Sequence, residues 1–106
     1  MPFNNYDIYL PLNYNNGQLI ESEKFKITKD ELISRFGGLS TIPGGSAFIE
    51  GWWKRGDIIM KDRIVIYRVQ VAGEYDDPFW PAYKEILKQR FNQQEILIQI
   101  HPVNNV

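Results

Sequence analysis

Two helical stretches of this chain end on the same dipeptide and then break: Arg35-Phe36 before Gly37-Gly38, and Arg90-Phe91 before Asn92-Gln93. Each stretch follows an apolar segment, Asp7 to Leu12 or Ile64 to Val71. Each leads towards another, Leu39 to Ile42 or Glu95 to Ile100. Strand–helix–strand written twice is the grammar of a split βαβ domain. With right-handed crossovers it predicts an α+β fold, a ferredoxin-like β-α-β-β-α-β plait with an extra hairpin. The sheet is expected to be antiparallel, with both helices on one face and the plait order 4-1-3-2.

The local signals fill in this frame. Ile8, Leu10 and Leu12 alternate with Tyr9 and Pro11 as in a half-buried strand, and Pro11 belongs at a strand end or at a non-bonding site of the ladder. Asn13 to Gly17 reads as a turn. A capping box, Thr28 with Glu31, predicts a helix start, with Ser22 as an earlier alternative. Gly37-Gly38 stop that helix. Lys54-Arg55-Gly56-Asp57 reads as a hairpin turn returning through Ile58-Ile59-Met60. Ile64 to Val71 is the strongest strand, rich in β-branched residues. Asp76-Asp77-Pro78 opens a second helix with Asp77 as cap, and Phe79, Tyr83, Ile86, Leu87 and Phe91 follow a helical period. Ile96 to Ile100 is the last strand, followed by a loose tail from His101.

Composition bounds the function. A chain of 106 residues fits one domain, 1–106, with one modest core. A net charge of −1 supplies no global attraction to nucleic acid or an anionic surface, so a polyanion would need a local basic patch. There is no Cys and one His, which excludes disulfides, thiolate sites and multi-histidine metal sites. No metal or cofactor is expected. The first residues lack a secretory pattern and no run approaches a membrane span, so a cytoplasmic location with no membrane partner is expected.

Parity assigns the faces. Ile8, Leu10, Leu12, Val65, Val69, Ile96, Ile98 and Ile100 should meet the helices. Tyr9, Ile66, Arg68, Gln70, Leu97, Gln99 and His101 should line the open face. Glu50 and Trp52 are expected on that face too, because a carboxylate under the helices would be costly. A mixed open face of this kind suits stacking on a second copy, so a homodimer is expected.

Tyr9, Glu50, Trp52, Arg68 and His101 are therefore the candidate ligand or partner site. Glu50 and Arg68 would form a cross-strand ion pair, or Arg68 held by Glu50 would bind a planar anion between Trp52 and Tyr9. His101 could serve as a general base, or be a surface residue at the edge of the last strand. Trp52-Trp53 with Lys54-Arg55 combine stacking surface with charge, as in a single-stranded RNA platform, or form a solvated hairpin. Gly37-Gly38 and Gly44-Gly45 do not make a phosphate loop, because no helix follows with the required lysine.

At Tyr6 to Leu12, Arg35-Phe36-Gly37-Gly38-Leu39-Ser40, Gly51-Trp52, and Lys88-Gln89-Arg90-Phe91 through Glu95-Ile96, the chain resembles small bacterial proteins of about this length that carry no assigned activity. The resemblance implies a bacterial cytosolic plait-like domain and brings no catalytic residue. The leading expectation is a non-catalytic interaction or ligand-binding module, a homodimer whose sheet face or Gly-rich 40–48 loop meets a protein partner. The alternatives are a small dimeric α+β barrel-type enzyme acting on a small organic substrate, and an RNA-binding or ribonuclease-like plait.

Overall fold

Alternating apolar residues in three segments supply the faces from which the sheet is built. A computed structural model of the chain describes residues 3–44, 48–73 and 77–106, without the side chains of Trp53 and Arg55. Asp76, residues 45–47 of the Gly-rich loop and those two side chains therefore lie outside the described part. The elements are β1 Phe3–Pro11, α1 Ser22–Phe36, β2 Ser40–Ile42, β3 Ile49–Arg55, β4 Ile58–Ala72, α2 Phe79–Arg90 and β5 Ile98–Val103.

The sheet is antiparallel throughout, in the order β2-β4-β1-β5, with β3 also paired to β4. This is the expected plait with an extra hairpin. β4 is fifteen residues long, and its two halves have different neighbours. Residues 64–72 pair with β1, while 66–68 also pair with β2. Residues 58–63 pair with β3 alone, so β3 and the first half of β4 form a two-stranded ribbon. Its turn is Gly56-Asp57, where Gly56 takes φ +61° between the paired Arg55 and Ile58. A left-handed residue at that place suits the twist of a short hairpin.

The helices cover one face. Tyr6, Ile8 and Leu10 of β1 and Val65, Tyr67 and Val69 of β4 bury against Leu32 of α1 and Trp80, Tyr83 and Leu87 of α2. Each fully buried Leu or Ile contributes about 1.5–3 kcal/mol. Trp80 lies between Tyr6 (ring centroids 4.3 Å apart, planes within 7°) and Phe36 (5.3 Å, 5°). The helical period counted from Phe79 had passed over this tryptophan and taken in Ile86, which is exposed.

The two Arg-Phe ends lock the helices together. Gly37 caps α1 in the left-handed conformation (φ +83°), its N–H bonded to the Ile33 carbonyl at 2.8 Å. Arg35 reaches Asp77 at the start of α2 (3.7 Å) and lies over the Phe79 ring. Arg90, at the end of α2, donates through Nη1 to Thr28 Oγ1 (2.9 Å) and to Glu31 on α1. Phe91 is fully buried and meets Phe25 edge-on. Each helix thus ends in an arginine that grips the other helix.

Three local expectations are corrected. α1 begins at Ser22, so Thr28 is no cap: it is buried in mid-helix, and its hydroxyl donates to the Lys24 carbonyl at 2.8 Å. That back-bond satisfies the hydroxyl without ending the helix. In α2 the Asp77 carboxylate does accept the Phe79 N–H (2.9 Å), although Pro78 precedes the first helical residue. His101-Pro102-Val103 belong to β5 rather than to a loose tail, because on an edge strand the missing proline N–H disrupts no ladder.

Candidate active site on the helix-free sheet face

Register fixes which side chains share the open face. Asp7 is paired with Arg68 on one side and Gln99 on the other, Asn5 with Gln70 and His101, and Tyr9 with Ile66. Ser40 of β2 stands opposite Arg68 on its far side. Tyr9, Arg68 and His101 therefore do share one face, as their parity required.

What gathers them is Asp7, which the sequence reading left out of the site. Its side chain is only 3% exposed, yet it carries a carboxylate. Arg68 grips that carboxylate with both arms of its fork, Nε to Oδ1 at 2.7 Å and Nη2 to Oδ2 at 2.8 Å. A bidentate pair is the strongest arrangement a guanidinium can make with a carboxylate, and it fixes the plane of the group. The hydrogen bond to Asp7 raises the Arg68 pKa above its ordinary value, with burial acting in the other direction. The His101 Nε2 stands 3.7 Å from Asp7 Oδ2, close enough for a charge on the imidazole to be met by the carboxylate.

A polar frame surrounds this centre. The Tyr9 hydroxyl donates to Gln99 Oε1 (2.8 Å), Gln70 Nε2 donates to Asn5 Oδ1 (3.2 Å), and Asn105 Nδ2 donates to Gln70 Oε1 (2.8 Å). Next to it a cleft of about 390 Å³ is lined by Asn5, Phe36, Gly38, Leu39, Ser40, Arg68 and Gln70. That volume falls in the range of small-molecule sites. Arg68 belongs both to the cleft and to the Asp7 centre. Among the described residues no group of three or more His, Asp or Glu side chains is placed to hold a metal ion.

Glu50 and Trp52 are elsewhere. Glu50 is opposite Arg63 and Trp52 opposite Lys61, which puts both on the parity of the helix side, and on the ribbon. Glu50 pairs with Lys61 (3.2 Å) rather than Arg68, and Lys61 also lies over the Trp52 ring at 5.4 Å. The expected Glu50–Arg68 pair is corrected to Asp7–Arg68. The burial argument for Glu50 failed because β3 pairs only with the outer half of β4, where Glu50 and Trp52 are both exposed. Asp7 could have been found from sequence by extending β1 back through Tyr6, which puts Asp7 in step with Tyr9.

No family model and no curated protein matches the chain. Among solved structures, it is similar in fold to a phage SAM lyase in complex with S-methyl-5'-thioadenosine. The TM-score is 0.64, at 16% sequence identity over 93% of this chain and 80% of that one. This likeness corrects the expectation of a non-catalytic module. The similar chain is a lyase in complex with S-methyl-5'-thioadenosine.

Proposed function

We propose that the chain is a small enzyme acting on a small organic molecule at the Asp7–Arg68–His101 centre, and that this molecule is S-adenosylmethionine or a related sulfonium. The observation that carries the reading is the Arg68–Asp7 fork opening into a cleft, on a fold like that of a SAM lyase. The chemistry of the groups supports it. Arg68 spends Nε and Nη2 on Asp7, which leaves Nη1 for a substrate carboxylate. The side-chain oxygens of Asn5, Ser40 and Gln70, which line the cleft, offer partial negative charge to a sulfonium. Phe36 and Leu39 give the cleft its apolar side for a flat base.

A lyase step breaks a carbon–sulfur bond and the neutral thioether leaves with the bonding pair. An elimination of this kind also needs a base to take the proton from the neighbouring carbon, whose C–H electron pair becomes the new carbon–carbon double bond. His101 is suited to that work, since the proton it takes up would sit against the Asp7 carboxylate. The reading extends to a cytoplasmic location, to residues 1–106 acting as one domain, and to action as a pair of copies.

The test is incubation with S-adenosylmethionine, with methylthioadenosine release followed by chromatography and binding followed by calorimetry. The expected result is turnover that falls at least about 100-fold in His101→Ala, the scale of a lost general base. Arg68→Lys is expected to weaken binding. Neither binding nor turnover with the wild-type chain would overturn the proposal.

A further inference from the structure

Residues 104–106 follow β5 without regular structure, yet Asn105 is tied back to the sheet, its Nδ2 donating to Gln70 Oε1 at 2.8 Å. Gln70 lies on β4, and β1 separates β4 from β5. The bond therefore passes over β1 on the helix-free face, because Gln70 has the parity of Arg68. Gln70 hands the contact on: its Nε2 donates at 3.2 Å to Oδ1 of Asn5, the residue opposite it on β1. Asn5 and Gln70 both line the cleft that Arg68 enters. A primary amide has one donating end and one accepting end. The two bonds are therefore coupled. With Asn105 donating, Gln70 must receive it on oxygen and has only nitrogen left for Asn5, which must then accept on its own oxygen. Each oxygen accepts one of these bonds and keeps a second lone pair. Together with the Ser40 hydroxyl they are the side-chain oxygens set around a cationic ligand in the cleft.

We propose that Asn105 is a positioning residue for this cleft. Through Gln70 it fixes the direction of both amides, holds their oxygens in place at the cleft wall, and so lets the cleft prefer a sulfonium to an uncharged thioether. The inference rests on the reading that the ligand is S-adenosylmethionine or a related sulfonium, and it adds how that ligand is told from its neutral relatives. A neutral hydrogen bond of this kind biases an orientation by about three- to tenfold. Without the Asn105 donor, the Gln70 amide is free to turn over and present nitrogen where oxygen stood. Asn105→Asp goes further, because a carboxylate only accepts. Gln70 must then donate to it through Nε2 and turn Oε1 to Asn5, and Asn5 must donate through Nδ2. One substitution after the last strand thus reverses an amide two hydrogen bonds away.

Two measurements test it. Side-chain amide spectra of the ligand-free, nitrogen-15-labelled chain are compared for the wild type, Asn105→Ala and Asn105→Asp, with the backbone amide signals checking that each variant folds. The expected result is that the Asn5 amide protons of Asn105→Asp move downfield and exchange more slowly than in the wild type, where Gln70 carries that bond. Asn5 signals unmoved by either variant would overturn the relay, whether or not any ligand binds. A wild-type spectrum matching Asn105→Asp would overturn its direction. Calorimetry then compares S-adenosylmethionine with S-adenosylhomocysteine, which keeps the carboxylate and the base and lacks the sulfonium charge. Asn105→Ala should lower the wild-type preference for the sulfonium by about threefold. A merely structural role would weaken both ligands alike, and that result, or an unchanged preference, would overturn the role in selectivity. A wild-type chain that binds no S-adenosylmethionine would overturn the enzyme reading and the selectivity with it, and the ligand-free spectra show that failure apart from failure of the relay.

Discussion

Removing Arg68 should strand the Asp7 carboxylate. That carboxylate is 3% exposed and receives two charge-assisted hydrogen bonds from a guanidinium that is itself 38% exposed. Breaking a fully buried pair from one side costs about 3–5 kcal/mol. Because the arginine here is partly in water, the expected cost of Arg68→Met is about 2–3 kcal/mol. For a domain of this size that corresponds to a Tm lowered by on the order of 10–20 °C. Asp7→Asn should cost about 1–3 kcal/mol, since an amide nitrogen now faces one arm of the fork. The double variant removes both the charge and its partner, so the two single costs should overlap by about 2 kcal/mol. Urea unfolding of the four proteins at neutral pH measures each term. Additive costs, or an Arg68→Met variant as stable as the wild type, would refute the reasoning and make the fork a surface pair.

Other outcomes follow from the helix side. Burial, helped by the charge of Glu31, pushes the Tyr83 hydroxyl up to about 12. The unfolded chain releases that proton near 10, so this contribution is intact below pH 10 and is lost as the pH rises through 12. Tyr83→Phe should flatten the alkaline fall in urea midpoint, and an unchanged slope would count against the assignment. Arg90→Met breaks the bonds to Thr28 and Glu31 and should cost about 1–3 kcal/mol in thermal melts. Gly37→Ala forces a side chain into φ +83° and should cost about 1 kcal/mol by the same measurement, with Gly37→Asn milder.

Much of the fold was legible because strands with one wet face advertise their parity. Ile8 and Leu10 against Tyr9, and Val65 and Val69 against Arg68, were sorted correctly by alternation alone. Glu50 and Trp52 were not, because the argument used the cost of burial where the deciding fact is register. The turn at Gly56-Asp57 sets Glu50 against Arg63, and the ribbon leaves both faces open to solvent. Asp7 was missed for the opposite reason. A charged residue in a central strand argues against burial until its partner, sixty-one residues away, is known. Thr28 and Glu31 look like a cap locally, and only the arginine from the other helix shows why both are there.

The order of the strands also governs how the chain can fold. β1 is central, yet its partners are far along the sequence: Pro11 pairs with Ile64, Phe3 with Ala72, and Phe3 again with Val103. The hairpin of β3 and β4 closes over a two-residue turn and can form first, while β1 must wait with Tyr6, Ile8 and Leu10 uncovered. Topologies dominated by such distant pairs fold slowly, and their unpaired strands are exposed to aggregation. During synthesis β1 is made before both of its partners and would be among the last strands to be secured on both edges.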